Sequence, residues 1–313
     1  MNPYVFIVGC PRSGTTLLRR IVDAHPEIAI TPETHWLPTM LEERIGVDGE
    51  GRVTPALIPA LLEHPKFARL AIDEPDLTEL IGSRRPHYRD FVSALFDLYG
   101  ARHGKRLVGD KTPRYVRAIA TLHALWPGAR IVHLVRDGRE VCLSAVSWTR
   151  KQDEFVALYR TWRDDPVTTA AYWWAWNVTL GRAAAAHLPD DLYLELRYED
   201  LVHDPNETCR RLCAFLGLWY DERMLRFHEG RTRVKPGRSA KRAWLPLSAG
   251  LRDWKTHMAA RDLERFEVAA GALLDELGYE RGAPSLSGSA IANARRVGRV
   301  FAQDVAGQTV RAA

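Results

Sequence analysis

The chain has 313 residues, 46% of them hydrophobic, which supplies the core of one large α/β domain or two ordinary ones and excludes a disordered tail protein. Lys and Arg number 44 against 39 Asp and Glu, a net charge of +5 without long basic runs, and this balance suits a small anionic ligand better than nucleic acid. The four cysteines (Cys10, Cys142, Cys209, Cys213) are scattered and only the last two are close, at helical spacing, so neither a disulfide framework nor a zinc site is implied and a cytoplasmic location is expected.

Met1-Asn2-Pro3 brings no positive charge, and the apolar run that follows, Tyr4 to Val8, is short, so no export signal is expected. No apolar run reaches the roughly 18 residues of a spanning helix either, and a soluble protein is expected. Tyr4 to Val8 predicts a buried strand, Gly9 to Gly14 a tight loop, and Leu17, Leu18, Ile21 and Val22 a helix. A short second strand is expected at Ile28-Ala29-Ile30. Between residues 36 and 86 six prolines (Pro38, Pro55, Pro59, Pro65, Pro75, Pro86) space out short helical pieces, read as an insertion over the sheet edge that either holds an acceptor or simply packs.

Helical patterns follow at 87–101, 114–125, 168–187, 206–216 and 260–277, and strands at 106–109, 129–135 and 192–196. The alternation predicts an α/β fold with a parallel sheet flanked by helices on both faces, a helical insertion and a C-terminal helical tail. Residues 230–256 are basic and glycine-interrupted, the composition of a loop that orders around an anion. From about Ala283 a Pro/Ser/Gly hinge leads into an amphipathic helix with Ile291, Val297, Val300, Phe301 and Val305 opposite Arg295, Arg296 and Arg299. Such a helix packs on the domain, binds a partner or touches an anionic membrane surface. The domain is thus expected over 1–282, with the hinge and tail over 283–313.

Gly9-Cys10-Pro11-Arg12-Ser13-Gly14-Thr15-Thr16 has the G-x-x-x-x-G frame of a phosphate-binding loop, placed between a buried strand and a helix N-terminus whose amides and dipole cradle an anion. The position that carries lysine in nucleotide triphosphatases is Thr15, and Arg12 brings the positive charge instead. Thr16 keeps the hydroxyl that holds magnesium in such enzymes. The strand 129–135 ends in Arg136-Asp137, an arginine where a metal site would want a carboxylate, so no metal is expected.

In this setting the residues resemble the sulfotransferases that use 3′-phosphoadenosine-5′-phosphosulfate (PAPS), over most of residues 4–255. Pro11 to Thr16 looks like the family's 5′-phosphosulfate loop, in which Arg12, Ser13, Gly14, Thr15 and Thr16 would hold the donor. Leu134-Val135-Arg136-Asp137-Gly138-Arg139, running on to Ser144, looks like its 3′-phosphate motif, with Arg136 and Ser144 as the gripping pair. Tyr198 falls where the tyrosylprotein branch has a nucleotide-contacting tyrosine. Gly250-Leu251-Arg252-Asp253-Trp254-Lys255 is similar to a C-terminal segment whose basic residues approach the 3′-phosphate, which nominates Lys255.

Residues 17–27 followed by Pro32-Glu33-Thr34 are similar to the tyrosylprotein and related bacterial sulfotransferases, so the resemblance makes Glu33 the catalytic base and Lys111 the lysine beside the transferring sulfate. Two departures stand out. His35 replaces an arginine of that branch, and Glu229 stands near the position of a serine upstream of Lys235-Pro236; both count against a peptide-tyrosine acceptor.

Chemically, sulfuryl transfer needs an in-line nucleophile and a leaving phosphate that gains charge, so cations and amides must surround the bridging oxygen. Arg12, Lys111, Thr15, Thr16 and the loop amides would serve in place of magnesium, and a carboxylate would take the proton of the acceptor hydroxyl. The expected reaction is sulfuryl transfer from PAPS, releasing the bisphosphate PAP, to a lipid, sugar, small-metabolite or tyrosyl hydroxyl. A kinase using the same loop and a non-catalytic nucleotide-binding scaffold are the competing readings. His25 is expected to be structural, and His35 to share in base chemistry, bind the acceptor or make a plain polar contact. If both stood on the second strand, Glu33 and His35 would share a face. The cluster Trp173, Trp174 and Trp176 is read as core packing, with one ring in an acceptor pocket as the alternative.

Overall fold

Five parallel strands form one sheet in the order β2-β3-β1-β4-β5 among the described residues. They are β1 (Val5–Val8), β2 (Ile28–Thr31), β3 (Leu107–Lys111), β4 (Arg130–Val135) and β5 (Tyr193–Arg197). The computed structural model describes residues 4–149, 153–229, 247 and 253–311.

The strands are short, and β1 and β2 are apolar but for Thr31 because both sheet faces are covered, while Asp110, Lys111 and His133 are buried polar members of β3 and β4. Phe6, Val8, Ala29, Val108 and Ile131 point to one face, where α2 (Leu37–Glu42), α3 (Leu57–Glu63), α4 (Glu74–Ile81), α5 (Tyr88–Arg102) and α6 (Ile119–Leu125) close over them. Val5, Ile7, Ile28, Ile30, Val132 and Leu134 point to the other. There they meet α1 (Thr15–Asp23), α10 (Tyr198–His203) and α11 (Pro205–Leu216).

A third cluster lies beyond the C-terminal end of β4. It joins α7 (Gly138–Thr149), α9 (Pro166–Ala185), α13 (Ala260–Glu276) and α14 (Gly288–Arg311). The short helices α8 (Asp153–Leu158) and α12 (Trp254–His257) complete the described α-helices.

The expected α/β sheet and its five strands are present. One detail differs. The pattern at 114–125 divides into a 3-10 turn over Pro113–Arg117 and then α6, because the turn must return the chain from the end of β3. The helical insertion packs, with Trp36, Leu57, Leu61, Phe67 and Leu77 all fully buried in the first core cluster.

The amphipathic C-terminal helix packs on the domain. Val297 is fully buried, and Phe301 stacks on Tyr159 with ring centroids 5.4 Å apart and on Tyr172 at 6.0 Å. Asn293 donates to Asp165 at 2.5 Å, and Arg160 pairs with Asp304. Trp173 and Trp174 are buried core residues, while Trp176 lies under the Arg117 guanidinium at 4.1 Å. His25 is structural: its Nδ1 accepts from the Glu27 amide and its Nε2–H donates to the Trp219 carbonyl at 2.7 Å. The four thiols are buried and unpaired. No helix among the described residues is long and apolar enough to cross a membrane.

Candidate active site

The connection β1–α1–β2 leaves β1 on one side and the run from β3 to β4 passes to its other side, so the crevice at the C-terminal end of β1 is the switch point of the sheet. The registers Ile7 with Lys111, Thr31 with Asp110 and Val8 with His133 bring the strand ends level there.

The loop after β1 is shaped by two glycines. Gly9 has φ +153°, and a Cβ on it would lie 2.5 Å from the Leu134 carbonyl oxygen; Gly14 caps α1 at φ +98°. A Cβ on Gly14 would fall 2.4 Å from the Tyr198 ring, so that ring lies directly against the loop. No acidic residue occupies the first turn of α1, which leaves its dipole open to an anion. Ser13 is fully buried and its Oγ has no hydrogen-bond partner among the described residues, the kind of orphaned donor that an anion seated in the loop would satisfy. Arg12, at φ +81°, reaches across to Ser144, donating from Nε to Oγ at 3.0 Å, and lies over the Trp148 ring.

Arg136 leaves β4 with its guanidinium 4.0 Å over the Tyr198 ring and donates to Glu140 from Nε at 2.9 Å and Nη2 at 2.5 Å. Burial raises the Glu140 carboxyl against the pull of Arg136. The next arginine of the motif has a different place. Arg139 is fully buried, donating to Asp137, to Glu267 Oε1 at 2.8 Å and to the Glu280 carbonyl, and it stacks 3.6 Å from the Trp254 ring.

Opposite the loop, Lys111 is 4% exposed and donates to Glu33 Oε1 at 2.5 Å and to Thr16 Oγ1 at 3.2 Å. The second oxygen of Glu33 accepts from His35 Nε2 at 3.0 Å. Burial by itself raises the Glu33 carboxyl, but the His35 hydrogen bond and the Lys111 ammonium outweigh it and hold the group well below the usual carboxylate range. Burial pulls the Lys111 ammonium down, with Glu33 opposing. The two residues are not on a strand, because β2 ends at Thr31 and His35 sits in the left-handed region at φ +61°. That turn swings the imidazole back onto Glu33, so the pair is bonded instead of merely side by side.

The segment is fixed from beneath. The Thr34 amide donates to Thr112 Oγ1 at 3.0 Å, and Thr34 Oγ1 shares a 2.6 Å bond with the Tyr115 hydroxyl, which also accepts from the Leu37 amide. Arg19 of α1 donates twice to the Ile30 carbonyl at the end of β2.

Of the residues nominated by sequence, hydrogen bonds link Thr16, Lys111 and Glu33 and separately Arg12 and Ser144, Arg136 and Gly14 both lie against Tyr198, and Ser13 and Thr15 belong to the loop and the start of α1. Lys255 stands apart: it is exposed and its ammonium pairs with Glu280. Lys235-Pro236 and Gly250-Leu251-Arg252 lie outside the described residues. Glu140, Thr112 and Tyr115 were not singled out from sequence; the i,i+4 spacing of Arg136 and Glu140 on a helix start was the available signal for the first.

Residues 3–222 match the model of the Sulfotransferase family. The nodulation protein NoeE of Sinorhizobium fredii is 30% identical over 294 residues, covering 88% of this chain and 66% of its own. Protein-tyrosine sulfotransferase 2 of Gallus gallus is 26% identical over 287 residues, covering 89% of this chain and 70% of its own. The chain thus spans about two thirds of the length of these relatives. Among solved structures, the sulfotransferase domain of the Synechococcus olefin synthase superposes with a TM-score of 0.61 at 25% identity, over 89% of this chain and 95% of that one. With the family match running from β1 through α11, and with the phosphate loop, Lys111 and Arg136 gathered at one sheet edge, the chain belongs to the sulfotransferase family, as its motifs led one to expect.

Proposed function

We propose that this chain is a PAPS-dependent sulfotransferase that moves the sulfuryl group to an acceptor hydroxyl by in-line displacement, with Glu33 as the base. The observation that carries the reading is the continuous chain from Thr16 through Lys111 to Glu33, which connects an anion cradle to a carboxylate by one ammonium. The donor supplies an activated S–O bond whose cleavage leaves a phosphate. Ser13, Thr15, Thr16 and the amides at the start of α1 would hold the 5′ end, and Arg136, with Ser144 linked to Arg12, the 3′-phosphate; the Tyr198 ring, pressed on Gly14, supports Arg136 from below.

Lys111 has three N–H groups, two of which meet Glu33 and Thr16, and the ammonium is placed to offset charge on the departing bridging oxygen. Glu33 is 27% exposed, open enough for an acceptor O–H to approach its carboxylate. A kinase reading fares worse, since Lys111 already donates to the Thr16 hydroxyl that magnesium would take. The acceptor is a hydroxyl; the tyrosyl substrate named for the Gallus relative is one class, and lipid, sugar and small phenolic hydroxyls are the others. Four unpaired, buried cysteines fit a cytoplasmic setting.

Thermal-shift titration with adenosine 3′,5′-bisphosphate against ATP tests the donor: a large upward shift for the bisphosphate alone supports the assignment, and a preference for ATP moves the kinase reading to the front. Radiolabelled PAPS with a cell extract then identifies the acceptor. Glu33→Gln keeps the side-chain shape but not its proton acceptance, and transfer should fall by roughly 10²–10⁴-fold with bisphosphate affinity nearly unchanged.

A further inference from the structure

Glu33 is held at both oxygens, one by Lys111 and the other by an imidazole whose backbone had to enter the left-handed region to reach it. A non-glycine residue there costs free energy and persists only where its surroundings dictate it. Here they do: Thr34, one residue before, is bonded through its amide to Thr112 and through its hydroxyl to Tyr115, and the Leu37 amide is tied to the same tyrosine. The whole turn from Thr34 to Leu37 is anchored to the chain following β3, the strand that ends in Lys111.

We propose that His35 is the positioning residue of this site: its neutral Nε2–H orients the Glu33 carboxylate for the acceptor, and its protonation switches the base off. The inference rests on Glu33 being the base. As the acceptor oxygen bonds to sulfur, the bridging S–O bond breaks with its electron pair going to the phosphate oxygen, and the acceptor proton goes to Glu33. A second positive charge on His35, 3.0 Å from Oε2, stabilises the carboxylate relative to its acid and so weakens it as a proton acceptor. A protonated His35 therefore suppresses transfer.

The charged groups facing the imidazole are Glu33, with Lys111 behind it, and His64 from the segment after α3, with Lys66 beside that histidine. Among the described residues, two other groups near this pair could give a similar acid limb: His64, held below the ordinary histidine value by burial and by the charges near it, and Asp110, which lies against Lys111 and Thr34 and is raised to about 6 by burial.

Water serves as the acceptor probe, because release of labelled sulfate from PAPS into water needs the same proton acceptance and no identified substrate. Sulfate release by the parent should fall about tenfold per pH unit on its acid side. His35→Gln keeps an N–H donor but cannot titrate; it should lose that acid limb while staying within about threefold of the parent at alkaline pH. His35→Ala should lose about tenfold or more at alkaline pH, with bisphosphate binding by calorimetry unchanged in both variants. His64→Gln should retain the limb of the parent. An unaltered acid limb in His35→Gln, full alkaline activity in His35→Ala, or disappearance of the limb in His64→Gln would each overturn the role given to His35. Undiminished sulfate release by Glu33→Gln would instead remove the base assignment beneath it, a separate and recognisable result.

Discussion

Arg12 and Ser144, 132 residues apart, are joined by a 3.0 Å hydrogen bond between the loop after β1 and the helix after β4. The bond ties together two motifs that sequence presents separately. Arg136, from the second of them, lies on the Tyr198 ring with its guanidinium held by Glu140. A side chain fixed on one side by a carboxylate and below by a ring loses little freedom when it meets a phosphate.

Arg136→Ala should accordingly weaken adenosine 3′,5′-bisphosphate binding by about 2–4 kcal/mol, the scale of a charge-assisted, bidentate contact. Isothermal calorimetry reads this directly. Adenosine 5′-phosphosulfate, which lacks the 3′-phosphate, should bind parent and variant alike, and an equal loss for both nucleotides would locate the role of Arg136 elsewhere.

Transfer should also survive chelation. Lys111 donates to Thr16 Oγ1, the hydroxyl a magnesium ion would otherwise coordinate, and Arg12 adds positive charge from the loop itself. The assay is turnover of purified protein with saturating PAPS, with and without EDTA; loss of turnover restored by magnesium would contradict it.

The buried Arg139 makes a third prediction, about stability. Its guanidinium is held between Asp137 and Glu267, and Glu267 further accepts from the Gly282 and Ala283 amides. Glu267→Ala leaves Arg139 without one of its two buried carboxylates and should destabilise the fold by about 3–5 kcal/mol. Denaturant unfolding measures it, and a change below about 1 kcal/mol would mean that Asp137 alone satisfies Arg139.

How much of this was legible beforehand follows from the kind of physics involved. Strands β1 and β4 announce themselves because strands covered on both faces are rich in apolar residues, and the loop after β1 because anion cradles need Gly9 and Gly14 at positive φ. Glu33, Lys111, Arg136 and Tyr198 were reachable through resemblance. Arg139 reads the same as Arg136 in sequence, and only burial beside Glu267, 128 residues away, separates a structural arginine from one facing the cradle. Likewise, nothing local marks His35 as left-handed, because the cause is Tyr115 and Thr112 on another segment. Lys255 was chosen on motif position, whereas its contact with Glu280 depends on where the chain turns after α13.

His133 gives a prediction for pH. Burial in β4 lowers its pKa from the ordinary 6.5 to about 3, and its Nδ1 is bonded to the Tyr193 hydroxyl at 2.6 Å. The unfolded chain binds the proton more tightly, so the contribution is fully present above the unfolded value and is progressively lost as pH falls towards the folded one, on the order of 2 kcal/mol by about pH 5. Asp110, raised to about 6 by burial, works in the opposite direction. Comparing the parent with His133→Asn cancels the Asp110 contribution: the variant's stability should fall less steeply from pH 6.5 to 5, and identical slopes would count against the assignment.

The strand order carries a consequence for how the molecule assembles. β1 is the first strand of the chain, yet its partners β3 and β4 begin at Leu107 and Arg130, so its pairing waits on closure of loops about a hundred residues long. Until then Val5 to Val8, buried in the finished sheet, are exposed as a sticky apolar ribbon, and refolding yields should drop with protein concentration for that reason. Because Gly9, Lys111 and Arg136 come from three strand ends that meet only when this pairing is complete, a nucleotide should bind the finished sheet and none of its precursors. Bisphosphate added late in refolding would then act as a counter of completed molecules, and added early it would hold them folded without hastening their formation.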